Sequence, residues 1–176
     1  MKTFKTLKIL LLLLVCQPIV AQKLTKIEKR IVNYVKANND DAIALLEKQV
    51  NMNSGSLNIE GVNKVGREFA KEFEAIGFTA TFKQLPAEVK RGDHLFCELN
   101  TGNVNGKKIL LIGHLDTVFE EDSPFQTFTR EGNMVYGPGV DDMKGGNIII
   151  LYALKALQQA GALKNTQIIA AFTSDE

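Results

Sequence analysis

Apolar residues that recur every three or four positions predict three helices in the first half of the chain. Thr25 and Glu28 form a capping-box pattern before the first helix. The second helix is predicted over residues 41–50, and a loop rich in Asn, Ser and Gly follows it. The third runs through the apolar positions of residues 62–76 and ends at Gly77, a residue type that often terminates helices. This half of the chain is therefore predicted to be mainly helical.

The middle and the end of the chain contain segments typical of strands. Residues 78–85 and 94–99 alternate or are rich in β-formers, and a loop joins them. Residues 109–112 and 168–172 are continuous apolar runs, which favour strands buried on both faces. A polar loop follows the first run, and a helix that is apolar on nearly all sides and ends at Gly161 precedes the second. This order implies a right-handed parallel crossover. The prediction is an α/β fold whose mainly parallel sheet is flanked by helices.

The first 21 residues have the pattern of a secretory signal peptide. Three lysines precede an apolar run over residues 9–15, and the small residue Ala21 follows. The run is too short for a transmembrane anchor, which needs about 20 apolar residues. The mature chain, residues 22–176, is therefore expected to begin near Gln22 and to be secreted or periplasmic.

Composition and charge exclude several classes of protein. The chain has 176 residues, of which 45% are hydrophobic and 23% charged, as in a globular domain. Loss of the three leader lysines changes the net charge from +1 to −2, so nothing indicates nucleic-acid binding. Cys16 is a weak candidate for a lipid anchor, because Val15 is larger than the residue that usually precedes such a cysteine. Because Cys16 lies within the predicted signal peptide, Cys97 is the one cysteine of the mature chain. At this position a buried structural thiol is favoured over a nucleophile.

Residue types suited to metal binding and acid–base chemistry follow the two apolar strands. His114 and Asp116 come directly after the first strand, Asp141 and Asp142 precede the connecting helix, and Glu176 follows the last strand. Sites in open α/β sheets form beyond the carboxyl ends of the strands, so these side chains are expected at one edge. Imidazole nitrogen with carboxylate oxygen is a ligand set that suits zinc.

Each of these motifs also has a simple structural interpretation. A His-x-Asp pair is often a surface turn, an aspartate before a helix is often an N-cap, and Thr173 with Glu176 fits a capping box. The glycines around Pro138 suggest a phosphate-binding turn but lack the spacing of nucleotide loops. His94, in a predicted strand, is expected to be a structural or surface residue.

Three motifs in order carry a resemblance to a known family. The segments IGHLDTV, GPGVDDMKGG and FTSDE, together with VNMNSGSLNIEGVNKVGREFAKEFEAIGF upstream, resemble the co-catalytic zinc peptidases. That family includes bacterial glutamate carboxypeptidases, aminoacylases and succinyl-diaminopimelate desuccinylases. The second motif, GPGVDDMKGG, contains Pro138 and a double glycine and is most similar to the corresponding motif of the glutamate carboxypeptidase branch.

The resemblance implies a role for four residues. His114 would be a ligand of one zinc ion, and Asp116 would orient its imidazole. Asp142, two residues before the lysine of its motif, would hold both zinc ions of the complete site. Glu176 would be the general base that takes a proton from the attacking water. The implied reaction is hydrolysis of a peptide or amide bond that releases a C-terminal amino acid such as glutamate.

The resemblance also implies that the remaining zinc ligands and a dimerisation domain lie beyond residue 176. Residues 22–176 would then be the N-terminal part of the catalytic domain, inactive by themselves, and the full-length protein would form a homodimer. An N-acyl amino acid deacylase or a dipeptidase of the same family would carry the same motifs. A non-catalytic binding module that keeps the peptidase fold is the alternative from another class.

The signal peptide makes a direct prediction. Amino-terminal sequencing of the exported protein should give Gln22 or a neighbouring residue as the first position, because the small Ala21 suits signal peptidase. A soluble cytoplasmic product that keeps Met1 would contradict it.

Overall fold

The computed structural model describes residues 23–102 and 105–176, so the predicted signal peptide lies outside the described residues. Four α-helices and six strands follow one another in this order along the two ranges: α1 (Lys26–Ala37), α2 (Asn39–Val50), α3 (Ile59–Glu74), β1 (Thr79–Lys83), β2 (His94–Asn100), β3 (Lys107–His114), β4 (Thr129–Glu131), β5 (Met134–Tyr136), α4 (Lys144–Gln159) and β6 (Thr166–Thr173). Among these helices, none combines the length and the apolar character that a membrane crossing requires.

The helix ends follow the signals in the sequence. The predicted capping box is confirmed, because the Thr25 hydroxyl accepts a hydrogen bond from the Glu28 backbone N–H and the Glu28 carboxylate accepts one from the Thr25 N–H. At the start of α3, the Asn58 side chain accepts a bond from the Gly61 N–H at 2.9 Å. Gly77 follows α3 with φ +82°, the left-handed conformation that glycine adopts without steric cost.

The larger sheet has the strand order β1-β2-β6-β3. β3 and β6 are parallel neighbours with α4 between them in sequence, so the predicted strand–helix–strand unit and the α/β fold class are confirmed. Parallel pairing is confined to these two strands among those described. β1 pairs antiparallel with β2, and β2 pairs antiparallel with β6, so among the described strands the sheet is mixed rather than mainly parallel as predicted.

One face of this sheet forms the core with the helices. Its inward side chains, Leu95, Cys97, Ile168, Ala170 and Phe172, are buried in the same cluster as apolar residues of α3 and α4. Cys97 is fully buried, as predicted for a structural thiol, and this burial raises the pKa of the thiol to about 12.

The prediction that the apolar strands are buried on both faces is wrong for the described structure. Leu110 is 60% exposed and Ile112 is 64% exposed, and both lie on the face opposite the helices. The continuous apolar run reflects a strand in which only alternate side chains meet the helix layer, since successive side chains point to opposite faces.

A short hairpin interrupts the segment that was predicted to be a polar loop. β4 and β5 pair antiparallel, and Gly132 occupies their turn with φ +60°. These strands are only three residues each, and Val135 is half-buried between exposed neighbours, so the hydrophobic pattern was too weak to predict them.

Phe73 provides a test of this core. Its fully buried ring packs edge-on against Phe78 at 5.3 Å between centroids and against Phe172 at 5.5 Å. Phe73→Ala should lower the free energy of unfolding by about 3–5 kcal/mol because it leaves a cavity. The control Ile149→Ala removes a side chain that is 71% exposed and should change it by less than about 0.5 kcal/mol. Chemical denaturation measures both, and similar losses in the two variants would contradict this description of the core.

Candidate metal centre

Three side chains meet at the carboxyl-terminal edge of the parallel strand pair. His114 is the last residue of β3, Asp142 lies two residues before α4, and Glu176 follows the end of β6. His114 Nε2 lies 3.0 Å from Asp142 Oδ1 and 3.1 Å from Glu176 Oε2. Parallel neighbours end at the same sheet edge, so the topology itself brings these three segments together.

The buried carboxylate of Asp116 contacts the other ring nitrogen of His114, Nδ1. His114 Nδ1 lies 3.2 Å from Asp116 Oδ1 and 3.1 Å from the Asp116 backbone oxygen. Asp116 Oδ2 accepts hydrogen bonds from the Ser56 hydroxyl and from the Glu176 backbone N–H, the latter at 3.4 Å. Asp116 is only 2% exposed. With Nδ1 engaged, the ring directs Nε2 towards the two outer carboxylates.

These donors are suitable for a divalent metal ion. His114 Nε2, one Asp142 oxygen and one Glu176 oxygen all lie within 4.8 Å of one another. The side chains of Asp142 and Glu176 are 71% and 63% exposed, so both carboxylates are open to an ion and its water ligands. One imidazole nitrogen with carboxylate oxygens is a common donor set for such ions.

The electrostatics of the cluster favour positive charge at its centre. The hydrogen bond with Asp116 raises the pKa of His114 to about 9, with a further contribution from Asp142, although burial acts in the opposite direction. Burial would raise the pKa of Asp116, but the bonds from His114 and Ser56 outweigh it and lower that pKa. A metal cation at Nε2 would replace the proton that the metal-free imidazole holds there.

Close packing of α4 against β3 positions the centre. Asn147 on α4 donates a hydrogen bond from its amide nitrogen to the His114 backbone oxygen at 2.6 Å. Gly113 is necessary for this approach, because a Cβ at that position would overlap the Asn147 side-chain oxygen. The helix therefore contacts the strand directly behind the imidazole.

A buried lysine connects the Asp142 segment to α2. Lys144 Nζ donates hydrogen bonds to the backbone oxygens of Gln49, at 3.0 Å, and Met52, at 2.8 Å. These oxygens lie at the C-terminal end of α2, where the helix dipole favours a cation. Lys144 is fully buried, and this burial lowers its pKa to about 8. The peptide bond between Asp142 and Met143 is cis.

A cavity of about 430 Å³ opens in front of the three donors. Its polar end contains the metal-suited side chains together with Ser56 and Asp141. Its other wall is apolar and comes from the loop after β3 and from the β4–β5 hairpin. The apolar wall consists of Val118, Phe119, Phe125, Val135 and Tyr136. The cavity therefore offers both metal donors and an apolar contact surface.

The structure brings together the four residues that the sequence singled out. His114, Asp116, Asp142 and Glu176 form one cluster, while Asp141 is exposed beside it on the cavity wall. Asp142 does not cap α4, because the cap residue is Met143 and makes no side-chain bond there.

Sequence reasoning missed the supporting residues Ser56, Lys144 and Asn147. Ser56 lies in a segment predicted only as a loop, 60 positions from its partner Asp116. Lys144 and Asn147 were polar residues at the start of an otherwise apolar helix, and that contrast was the available signal. Their partners are distant in sequence, so spacing could not identify the contacts.

The pKa of His114 can be tested directly, because the sequence has only two histidines whose NMR signals must be distinguished. In metal-free protein, NMR titration should place the pKa of His114 near 9, and Asp116→Asn should lower it towards the ordinary value of about 6.5. The folded pKa is above the unfolded one, so the stabilisation from His114 is fully present below about pH 6.5 and is lost as the pH rises through about 9. An unchanged pKa in Asp116→Asn would contradict the Asp116–His114 contact.

Known proteins resemble this chain in sequence and in fold. Residues 110–176 match the model of peptidase family M20/M25/M40. The chain is 36% identical over 138 residues to carboxypeptidase G2 of Pseudomonas sp. (strain RS-16). The aligned region covers 76% of this chain and 32% of that protein. It is 34% identical over 109 residues to acetylornithine deacetylase of Salmonella arizonae, covering 59% of this chain and 27% of that protein. The chain thus spans about a third of the length of these relatives.

Solved structures agree at the level of the fold. Human carnosine dipeptidase 1 superposes with a TM-score of 0.68 at 16% identity, over 83% of this chain and 34% of that one. An M20 family metallo-carboxypeptidase from Sulfolobus solfataricus superposes with a TM-score of 0.63 at 19% identity, over 77% of this chain and 31% of that one. Sequence motifs, fold and metal-suited cluster together lead to one conclusion: the chain belongs to peptidase family M20/M25/M40, a family of metal-dependent peptidases.

Proposed function

We propose that this chain forms the metal-binding end of a zinc-dependent hydrolase that cleaves a peptide or amide bond and releases a C-terminal amino acid such as glutamate. The observation that carries the proposal is the convergence of His114 Nε2, Asp142 Oδ1 and Glu176 Oε2 within 4.8 Å at the mouth of a cavity. Similarity to carboxypeptidase G2 supports the carboxypeptidase reaction.

His114 and Asp142 are the residues proposed to hold zinc. His114 offers Nε2 because Asp116 engages Nδ1. Asp142 has two carboxylate oxygens and is well exposed, so it is suited to bridge two ions of a complete site. When bound, zinc lowers the pKa of water and polarises the scissile carbonyl. Two ligand residues are fewer than the three or four per ion that zinc sites use, so residues 22–176 alone are proposed to be inactive.

Glu176 is proposed to be the general base. Its carboxylate lies at the polar end of the cavity, where it would accept a proton from the attacking water and pass it to the leaving amine. The Glu176 backbone N–H contacts Asp116 Oδ2, so the base and the imidazole share one buried anchor. Asp116 would thus orient both the metal ligand and the proton acceptor.

Glu176 as a third metal ligand is a competing assignment. Its Oε2 lies 3.1 Å from His114 Nε2, close to the 3.0 Å of Asp142 Oδ1, so distance alone does not distinguish a base from a ligand. Chemistry distinguishes them, because loss of a ligand releases metal whereas loss of a base stops turnover and leaves the metal bound.

A second candidate is hydrolysis of an N-acyl amino acid or a dipeptide. Similarity to acetylornithine deacetylase favours the first, and the fold shared with carnosine dipeptidase 1 is compatible with the second. A substrate panel on the full-length protein, with C-terminal glutamate peptides, N-acetyl amino acids and dipeptides, separates these reactions by their kcat/KM values. A non-catalytic binding module would hydrolyse none of them.

The location and the oligomeric state of the full-length enzyme are also proposed. The signal peptide would export the protein to the periplasm or the medium without a lipid anchor, and the full-length protein would be a homodimer. Size-exclusion chromatography with light scattering measures the latter.

The roles of the site residues make a paired prediction for the full-length enzyme. Glu176→Gln should lower kcat by about 10²-fold or more with metal content unchanged, because a base does not hold the metal. His114→Ala should lose metal as well as activity, because the variant removes the nitrogen ligand. Metal analysis and kinetics on the same preparations measure both effects.

Asp175→Asn is the matched control, since it removes an adjacent, exposed carboxylate and should leave both metal content and kcat near wild type. Metal loss in Glu176→Gln together with metal retention in His114→Ala would reverse the assignments.

A further inference from the structure

We propose that His94 is a positioning residue that fixes the end of β6 and thereby directs Glu176 towards His114. The inference rests on the proposed role of Glu176 as the base. His94 was expected to be a structural or surface residue, and it lies at the first position of β2, half-buried. Its ring contacts the segment that carries Glu176 rather than Glu176 itself.

The sheet ladder ends before Glu176. On one side, the last pair between β2 and β6 is Leu95 with Phe172. On the other side, the last pair between β3 and β6 is His114 with Thr173. The direction of residues 174–176 therefore depends on contacts beyond the regular strand pairing.

Side-chain contacts replace the ladder at Ser174. The Ser174 backbone N–H donates a hydrogen bond to His94 Nδ1 at 3.0 Å, and the Ser174 hydroxyl donates one to the Gly92 backbone oxygen. Ser174 is fully buried, so both donors need protein partners. His94 Nδ1 is the acceptor of the backbone N–H and also lies 3.1 Å from the Ser174 hydroxyl oxygen.

Residues 92–94, which contact Ser174, also contact α3. The Asp93 backbone N–H donates to the Asn63 side-chain oxygen at 2.7 Å. A Cβ at Gly92 would lie 2.8 Å from Val62 Cγ1, so the backbone packs directly on the helix. Residues 92–94 therefore provide a rigid support for Ser174.

Residues 173–176 contact the candidate metal centre on the side opposite His94. The Leu115 N–H donates to the Thr173 oxygen at 2.8 Å, and the Glu176 N–H contacts Asp116 Oδ2 at 3.4 Å. Residues 173–176 thus lie between the His94 support and the Asp116 anchor. Loss of the His94 contact would leave Glu176 tethered from one side, with its carboxylate less well directed. The Arg91–Asp175 ion pair is partly exposed and would compensate little.

Two substitutions of His94 in the full-length protein separate positioning from general stability. His94→Leu removes the Nδ1 acceptor, whereas His94→Asn places its amide oxygen near the position of Nδ1. We expect His94→Leu to lower kcat by about 10-fold or more with KM and metal content near wild type, because small misplacements of a catalytic group cost large factors in rate. His94→Asn should restore kcat to within about threefold of wild type, since it keeps the hydrogen bond that places Glu176.

Thr101→Val is the matched control at the far end of the same strand pair. The Thr101 hydroxyl bonds both the oxygen and the N–H of Thr166, at 3.0 Å and 2.9 Å, where β6 begins. This variant should lower the melting temperature as His94→Leu does but leave kcat unchanged. Should His94→Leu fail to fold, His94→Gln is the second loss variant, because its amide lies one carbon further from the backbone.

Four results would overturn the inference. Equal kcat losses in Thr101→Val and the loss variant would show an effect of stability alone. A His94→Asn enzyme as slow as the loss variant would exclude the acceptor role. Wild-type kcat in the loss variant, beside an inactive Glu176→Gln that keeps its metal, would refute the role of His94 and leave the proposed function intact. Full activity in Glu176→Gln would instead refute the proposed base, and this inference with it.

Discussion

The Asp116 carboxylate is the interaction on which the candidate site depends. One oxygen faces His114 Nδ1, and the other accepts bonds from the Ser56 hydroxyl and the Glu176 backbone N–H. Three segments distant in sequence therefore share one buried negative charge. Burial of an ionised carboxylate is costly unless its oxygens are hydrogen-bonded, so the surrounding chain must supply these donors. The position of the metal-suited nitrogen follows from that requirement.

The helices supply the rigidity around this charge. α4 contacts β3 through Asn147, and the buried ammonium of Lys144 bonds two backbone oxygens at the end of α2. A buried lysine that lacked these bonds would be strongly unfavourable, so they hold the Asp142 segment against α2. The donors of the cluster belong to the ends of strands and helices, while the exposed carboxylates remain free to meet a ligand from the cavity.

Much of the fold was predictable because local patterns report local structure. The periodicity of α3, the capping box at Thr25 and the alternation in β2 each produced the expected element. Two features were missed for physical reasons. The β4–β5 hairpin is too short for a pattern, and the apolar run of β3 does not distinguish burial on one face from burial on both. The residue types and order of His114, Asp142 and Glu176 also indicated the edge of the sheet where they meet, since parallel strands end together.

Periodicity and residue chemistry are local properties, so the longer helices and strands, the α/β class and the residues suited to bind a metal could be predicted from the amino-acid sequence. The contacts that hold those residues in place became visible only in the folded chain. Ser56 reaches Asp116 across 60 positions, and His94 reaches Ser174 across 80. Such contacts join residues whose separation carries no periodic signal, and they form because buried donors and acceptors must find partners once the chain has folded.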